Sequence, residues 1–228
     1  MIKQIRKQIA ALLDPINPQD LLKKYLPVSN VYGLDRGKSV DRWYIEKFMS
    51  ENRNDIKGKT LEILDRDYTK KYGKGKVTFS HILDIDPNNR HADIYGDLRN
   101  LKNKIKSNTY DCIILTQVLQ YIDEPVAALK ECHRILKPGG VILATIPTIC
   151  RVDCVAGDEG DYWRFTRAGS VHLFRKAFPK QNIEAKAQGN ILTGMGFWVG
   201  LSQSDYKKED FAHNDPDFPC LITVRAHK

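Results

Sequence analysis

The sequence predicts a doubly wound α/β fold, in which helices cover both faces of a seven-stranded, mostly parallel sheet. Three observations predict it. The chain has 228 residues, enough for one sizeable domain. Its apolar content of 42% and charged content of 28% are those of a globular protein with a buried core. From residue 60 onwards, short apolar runs alternate with helical stretches, as in parallel strands joined by crossover helices.

The parallel strands are predicted from apolar runs that do not alternate with polar residues, because strands buried on both faces read in this way. They cover residues 60–64, 81–85, 92–95, 111–116 and 141–146. An amphipathic helix over 124–136 is predicted to end where Lys137-Pro138-Gly139-Gly140 turns the chain into the fifth strand. A helix over 168–178 precedes two strands, 183–188 and 221–226. These two would pair as an antiparallel hairpin, with the C-terminal strand at the edge.

The N-terminal part is predicted to be a helical cap. Apolar residues recur at helical spacing at Ile2, Ile5, Ile9, Leu12 and Leu13. A second short helix is predicted from Asn17-Pro18 to Tyr25, and Ser39 is predicted to cap a third, whose apolar face is Val40, Tyr44, Ile45 and Phe48. We therefore expect a cap of residues 1–50 and a main domain of residues 51–228 in one compact unit.

Composition excludes several classes of protein. No apolar run approaches the roughly 18 residues of a membrane-spanning helix, so no span is expected. The apolar stretch of the N-terminus covers only residues 9–13, too short for a signal peptide, so a cytoplasmic location is expected. Five cysteines form no disulfide framework, and Cys150 and Cys154 lack the further ligands of a zinc site. No metal is therefore expected.

The formal net charge of +8 lies mostly in the first third of the chain. Four lysines fall in what is predicted to be one short loop: Lys70, Lys71, Lys74 and Lys76. A surface for an anionic partner is one interpretation of this charge. A solvated face is favoured over a nucleic-acid interface, because aromatic residues do not interleave with the lysines as a base-stacking platform requires.

Polar residues end four successive strands. Glu62 ends the first, Asp84 and Asp86 the second, Asp97 follows the third and Gln117 ends the fourth. Ligands of open parallel sheets bind beyond the carboxyl ends of the strands, so these side chains point to a nucleoside-like ligand whose ribose hydroxyls are bound by a carboxylate. Each Asp taken singly is also a common turn former.

The sequence resembles a known family. The segments LEILD, ILDID, YGDL, YDCIILTQVLQYI and RILKPGGVILATIP, in this order, resemble class I S-adenosylmethionine-dependent methyltransferases of the Methyltransferase-11-like group. SVDRWYIEKFM, GDYWRFT and CLITVRAHK are similar to bacterial methyltransferase-like proteins associated with glycosyltransferases and polysaccharide biosynthesis. The resemblance implies a Rossmann-like fold, S-adenosylmethionine as cofactor and S-adenosylhomocysteine as product. It further implies methyl transfer to an oxygen or nitrogen of a glycan, nucleotide-sugar or other small acceptor.

The resemblance also implies cofactor-binding residues. Asp84 or Asp86 matches the acidic residue that binds the ribose hydroxyls, and Asp97 with Leu98 matches the pair beside adenine. Glu62 and Gln117 complete this set at the ends of the first and fourth strands. The short spacing between Asp86 and Asp97 implies that the usual helix between the second and third strands is nearly absent.

The first loop departs from the family pattern. Relatives carry a glycine-rich loop after the first strand, because the backbone there approaches the cofactor closely. This chain has no glycine between Glu62 and Gly73. Either side chains such as Arg42, Tyr44 or Tyr68 hold the cofactor carboxylate instead, or cofactor binding is weakened or lost.

The acceptor site is predicted between Tyr121 and the loop that contains Asp161. Tyr121 follows the fourth strand and would position an acceptor hydroxyl, since a phenol with a pKa of roughly 10 is a poor base. Asp161 would orient the acceptor or take its proton, and the neighbouring residues would bind it: Tyr162, Trp163 and Arg164. The alternatives are that Tyr121 packs on the next helix and that Trp163 anchors the loop to the core.

Two functions from different classes follow. The first is a methyltransferase acting on a small or glycan acceptor. The second is a methyltransferase-like module that has lost catalysis and serves as a binding or regulatory part of a polysaccharide assembly system, which the glycine-poor first loop favours. A nicotinamide dehydrogenase is disfavoured, because no G-x-G-x-x-G follows the first strand.

Overall fold

The computed structural model of this chain describes residues 27–153, 156 and 160–228. The two helices predicted within residues 2–25, and Cys154, lie outside this part. The strands are β1 (Gly58–Ile63), β2 (Val77–Asp84), β3 (Ile94–Tyr95), β4 (Tyr110–Thr116), β5 (Leu136–Pro147), β6 (Ile183–Gln188) and β7 (Leu221–His227). The α-helices are α1 (Val40–Glu51), α2 (Asp67–Tyr72), α3 (Pro125–Ile135), α4 (Arg167–Phe174) and α5 (Ile191–Val199).

The predicted fold class is confirmed. One seven-stranded sheet has the order β3-β2-β1-β4-β5-β7-β6, parallel from β3 to β5 and antiparallel on both sides of β7. The C-terminal strand β7 is antiparallel, as expected, but it lies one position inside the edge. Leu221, Ile222, Val224 and Ala226 are all fully buried, so β7 needs a neighbour on each side, whereas the half-exposed β6 forms the edge.

Apolar side chains cover both faces of the sheet. On one face, α3 and α4 contribute Leu129, Ile135 and Phe174 to a core around Ile113 and Ile142. On the other face, α1 contributes its predicted apolar residues to a second core around Ile114 and Leu143: Val40, Tyr44, Ile45 and Phe48. Ser39 precedes α1, but its side chain makes no capping hydrogen bond. The division into a cap of residues 1–50 and a domain of residues 51–228 stays a prediction.

Local differences from the prediction have simple causes. Lys137-Pro138-Gly139-Gly140 does not form a separate turn but bulges from β5, because Tyr110 pairs with Leu136 while Cys112 already pairs with Val141. Lys70 and Lys71 lie on the short helix α2 rather than in a loop. The helix α5 was not expected. Asn190 caps it, accepting the backbone N–H of Thr193 at 3.0 Å.

The connection between β2 and β3 is as short as expected. No helix lies between β2 and β3 in the described chain, as the short spacing there predicts. This leaves one side of the sheet edge open. Among the described helices, none has both the length and the apolar character needed to cross a membrane.

Candidate functional site

A cavity of about 610 Å³ opens at the carboxyl ends of β1, β2 and β4, within the size range of small-molecule sites. The sheet edge and α1 provide its polar wall. Three apolar or aromatic residues from elsewhere in the fold also line it: Tyr32, Leu34 and Phe197. Seven residues singled out as candidates in the sequence lie together in the wall: Arg42, Tyr68, Asp84, Asp97, Leu98, Gln117 and Tyr121.

Asp84, rather than Asp86, faces the cavity from the end of β2. The Asp84 carboxylate is largely buried and accepts hydrogen bonds from the backbone N–H of Asp86 at 3.0 Å and from Asn89 Nδ2 at 2.6 Å. The Asp86 carboxylate instead accepts the backbone N–H of Asn88 at 2.8 Å. Asp86 is therefore a turn former, and Asp84 is the carboxylate left to bind a ligand.

Asp97 lines the cavity as half of an ion pair. Its two carboxylate oxygens accept Arg99 Nε and Nη2, the closest contact being 2.6 Å, and these hydrogen bonds hold the pKa of Asp97 below its usual value. Arg99 also donates to Asp123 at 2.5 Å. A ligand beside Asp97 would therefore meet a fixed ion pair, with Leu98 providing the apolar part of the same wall.

Glu62 does not line the cavity. Its carboxylate is buried and accepts the backbone N–H groups of Tyr68 at 3.1 Å and Thr69 at 2.8 Å, in the first turn of α2. Burial raises the pKa of Glu62 to about 7, although these hydrogen bonds act in the opposite direction. Glu62 thus anchors α2 to the sheet, a position that does not favour direct contact with the cofactor.

Tyr44 does not line the cavity either. It is fully buried, and its hydroxyl donates to Thr193 Oγ1 at 3.0 Å, in the core between α1 and α5. Residues two positions apart on a helix point in different directions, so only Arg42 of this pair can face the cavity. Among the residues proposed to replace the glycine loop, Tyr44 is therefore excluded, while Arg42 and Tyr68 remain.

The first loop takes a left-handed conformation without a glycine. Leu64 follows β1 with a φ of 76°, lines the cavity and is 61% exposed. Gln117 follows β4 with a φ of 54° and lines the same cavity. Such conformations cost L-residues energy and cluster at functional sites. The chain therefore keeps the backbone turn that a glycine would adopt, and it places a leucine side chain there.

Arg42 bridges α1 and α2 above this loop. Its Nη1 atom donates to the Tyr68 hydroxyl at 2.5 Å, and burial raises the pKa of Tyr68 to about 12. A neutral phenol uses only one of the five guanidinium donors, which leaves others to bind a carboxylate. Arg42 is the one basic residue in the described wall of the cavity.

Several buried polar atoms in the wall have no hydrogen-bond partner within the described structure. They are Ser39 Oγ, Asp41 Oδ1, Gln117 Nε2 and Gln120 Oε1. A buried polar atom without a partner is destabilising, so such atoms indicate a site built for a polar ligand. The combination of donor, acceptor and charged groups fits a nucleoside joined to an amino acid, which is the composition of S-adenosylmethionine.

The other end of the cavity contains Tyr32, Tyr121 and Asp153. The Tyr121 hydroxyl donates to Asp153 Oδ2 at 2.9 Å. Burial raises the pKa of Tyr121 above its usual value and that of Tyr32 to about 12, so both phenols are neutral at neutral pH. Asp153 was not predicted from the sequence, although it follows β5 in the way that the predicted carboxylates follow their own strands.

Asp161 does not line the cavity. The Asp161 carboxylate is 2% exposed, binds Arg164 at 2.6 and 2.7 Å, and accepts the backbone N–H of Asp153 at 2.9 Å. Arg164 holds the pKa of Asp161 below its usual value. These contacts hold Arg164 and the backbone of Asp153 in place, and the catalytic role of Asp161 stays a prediction.

The other predicted acceptor-binding residues fix the same region. Tyr162 donates its backbone N–H to the Gln120 carbonyl at 2.8 Å, and Trp163 Nε1 donates to the Ile122 carbonyl at 2.9 Å. These contacts tie the loop to the segment that contains Tyr121. Tyr162, Trp163 and Arg164 do not line this cavity, which favours the anchoring interpretation, and their role in acceptor binding stays a prediction.

Comparison with known proteins agrees with this geometry. Residues 58–144 match the family model described as "Methyltransferase domain". A ubiquinone biosynthesis O-methyltransferase of Pseudomonas paraeruginosa is 24% identical over 117 residues, 51% of this chain and 50% of that protein. A protein of the same description from Pseudomonas aeruginosa matches equally well. The chain spans about half the length of the curated relatives it matches.

Solved structures give the fold. An S-adenosylmethionine-dependent methyltransferase from Archaeoglobus fulgidus aligns with a TM-score of 0.51 at 14% identity, over 82% of this chain and 90% of that chain. One from Mesorhizobium loti aligns with a TM-score of 0.53 at 12% identity, over 76% and 93%. The chain has the class I methyltransferase fold. The fold that the resemblance implies is therefore confirmed. The matching family model and these structures support S-adenosylmethionine as the cofactor.

Proposed function

We propose that this protein is an S-adenosylmethionine-dependent methyltransferase that methylates an oxygen or nitrogen of a small acceptor. The observation that carries the proposal is one cavity at the carboxyl ends of the strands. It joins a nucleoside-binding end around Asp84, a cationic wall at Arg42 and the hydrogen-bonded pair of Tyr121 and Asp153. Ligands of such sheets bind at this edge.

Each part of the wall has a role in this proposal. Asp84 would accept hydrogen bonds from ribose hydroxyls, and Leu98 with the ion pair of Asp97 and Arg99 would contact the adenine. Arg42 would bind the cofactor carboxylate with guanidinium donors that Tyr68 leaves available. When bound, the cofactor supplies a methyl group on a positively charged sulfur.

The residues at the other end would align the acceptor. Neutral Tyr121 donates to Asp153 Oδ2 and so orients this carboxylate, which would in turn orient an acceptor O–H or N–H. The Asp153 carboxylate would receive the proton that the acceptor loses on methylation. Tyr32 and Phe197 would exclude water from this end.

For the acceptor itself, we propose a glycan, nucleotide-sugar or comparable small molecule handled in the cytoplasm. The support is the sequence similarity of SVDRWYIEKFM and GDYWRFT to proteins associated with polysaccharide biosynthesis. The Pseudomonas relatives are described as O-methyltransferases, which favours oxygen as the methylated atom.

The second candidate function is a methyltransferase-like binding module without catalysis. Leu64 favours it, because a side chain occupies the turn at which relatives of the family have a glycine. Titration calorimetry with S-adenosylhomocysteine separates the two functions. Saturable one-to-one binding supports the enzyme, and methyl transfer to nucleotide sugars or glycan fragments should then be screened. Absence of binding at millimolar ligand supports the degenerate module.

A further inference from the structure

Three buried oxygen atoms in the cavity wall lack hydrogen-bond partners in the described structure: Ser39 Oγ, Asp41 Oδ1 and Gln120 Oε1. Ser39 is 3% exposed, Asp41 7% and Gln120 4%. The Gln120 amide is oriented, because its Nε2 atom donates to the Gln117 carbonyl at 2.9 Å and so leaves Oε1 as the acceptor. The guanidinium of Arg42 donates to Tyr68 rather than to the adjacent Asp41.

The chemistry of these atoms points to a cationic hydrogen-bond donor. Burying a carboxylate oxygen without a partner is costly, and a positively charged donor removes that cost most effectively. The first turn of α1 favours the negative charge of Asp41, because the positive end of the helix lies there. A primary ammonium group has three N–H donors, which matches the three acceptors. We propose that Asp41, Ser39 and Gln120 form a binding site for a primary ammonium group.

This inference rests on the proposed function, which offers two sources for the ammonium group. One is the α-ammonium of the cofactor's methionine moiety, for which Arg42 and Asp41 would together recognise the carboxylate and the amine. The other is an amine on the acceptor. Both sources present the same chemistry, and binding measurements distinguish them.

The test compares wild-type protein with Asp41→Asn, which keeps the shape of the side chain and removes its charge. Asp67→Asn is the matched control, because Asp67 is exposed on α2 and does not line the cavity. Calorimetry is performed with S-adenosylhomocysteine and with 5′-methylthioadenosine, which has the nucleoside and sulfur but no amino-acid moiety. If the cofactor is the source, Asp41→Asn weakens S-adenosylhomocysteine binding at least about tenfold. Binding of 5′-methylthioadenosine then stays within about twofold.

If the acceptor is the source, Asp41→Asn leaves both nucleoside affinities unchanged. In that case propylammonium raises the melting temperature of wild-type protein saturated with S-adenosylhomocysteine, and it does not raise that of the variant. An Asp41→Asn variant that binds all three probes as wild type does overturns the inference. Wild-type protein that binds neither nucleoside overturns the proposed function instead, so the two failures are distinguishable.

The ligand-free variant gives a second readout. Because Asn removes the charge of a carboxylate whose Oδ1 atom is buried without a hydrogen-bond partner in the described structure, Asp41→Asn should melt at a higher temperature than wild type in the absence of ligand. Asp67→Asn should not. A lower melting temperature for Asp41→Asn would mean that the carboxylate stabilises the protein itself, and it would overturn the inference.

Discussion

Replacing Leu64 with glycine tests whether the first loop retains the backbone of a glycine turn. Leu64 has a φ of 76°, and the left-handed conformation costs an L-residue about 1–2 kcal/mol. Glycine adopts it freely but loses about 0.5–1 kcal/mol through the greater entropy of the unfolded chain. Since the Leu64 side chain is 61% exposed, little buried contact is lost.

The comparison should be made between Leu64→Gly and Leu64→Ala, because alanine also lacks the leucine side chain but retains the cost of a positive φ. We expect Leu64→Gly to be the more stable by about 0.5–1 kcal/mol, the difference between the two terms. For a chain of this size, that difference corresponds to about 1–4 °C in melting temperature. Chemical denaturation measures the free-energy difference directly.

Leu34 provides the control. It is 60% exposed and lines the same cavity, but it is not among the described residues with positive φ. There the ordinary order should hold, with Leu34→Gly less stable than Leu34→Ala by about 0.5–1 kcal/mol. If Leu64→Gly is also less stable than Leu64→Ala, Leu64 is not held in a left-handed turn, and our description of the first loop is refuted.

Three further outcomes are expected. Because burial raises the pKa of Glu62 from 4.5 to about 7, its contribution to folding is fully present below pH 4.5 and is lost as the pH rises through 7, about 3 kcal/mol in all. Glu62→Gln should flatten this part of the stability profile in urea titrations, and an unchanged profile would contradict it. Asp161→Asn should lower the melting temperature by several degrees, since it removes the charge of a buried carboxylate paired with Arg164, and a melting temperature equal to that of wild type would contradict this structural role. Tyr121→Phe should reduce methyl transfer in a radiolabel assay while changing cofactor affinity by less than about threefold, and an equal loss of both would place Tyr121 in the cofactor site instead.

The order of elements could be predicted because it depends on local patterns. Continuous apolar runs identified β4 and β5, and the short spacing from Asp86 to Asp97 predicted the missing helix. The antiparallel pairing of β6 with β7 was predicted, but the position of β7 between β5 and β6 was not. Strand order depends on contacts between residues that are distant in sequence, and a long insert separates these two strands. The helix α2 was missed, since its six residues are stabilised by the buried Glu62 rather than by their own periodicity.

Candidate site residues could be predicted where they lie directly at the end of a strand. They could not be predicted where their role depends on the direction in which the side chain points. The rule of polar strand ends predicted Asp84, Asp97 and Gln117, and all three line the cavity. It could not distinguish Asp161, whose partner Arg164 neutralises it, from Asp153, which reaches the cavity. Only the three-dimensional arrangement shows which of these two nearby carboxylates lines the cavity.

The central claim is that the cavity binds S-adenosylmethionine, and titration calorimetry with that cofactor tests it most directly. The expected result is one binding site per chain with a dissociation constant between about 1 μM and 1 mM, the range of typical enzyme substrates. Asp84→Asn should weaken binding about 5- to 150-fold, because it removes the charge from the carboxylate assigned to the ribose. A titration without heat, together with an unchanged melting temperature at millimolar cofactor, would contradict the claim.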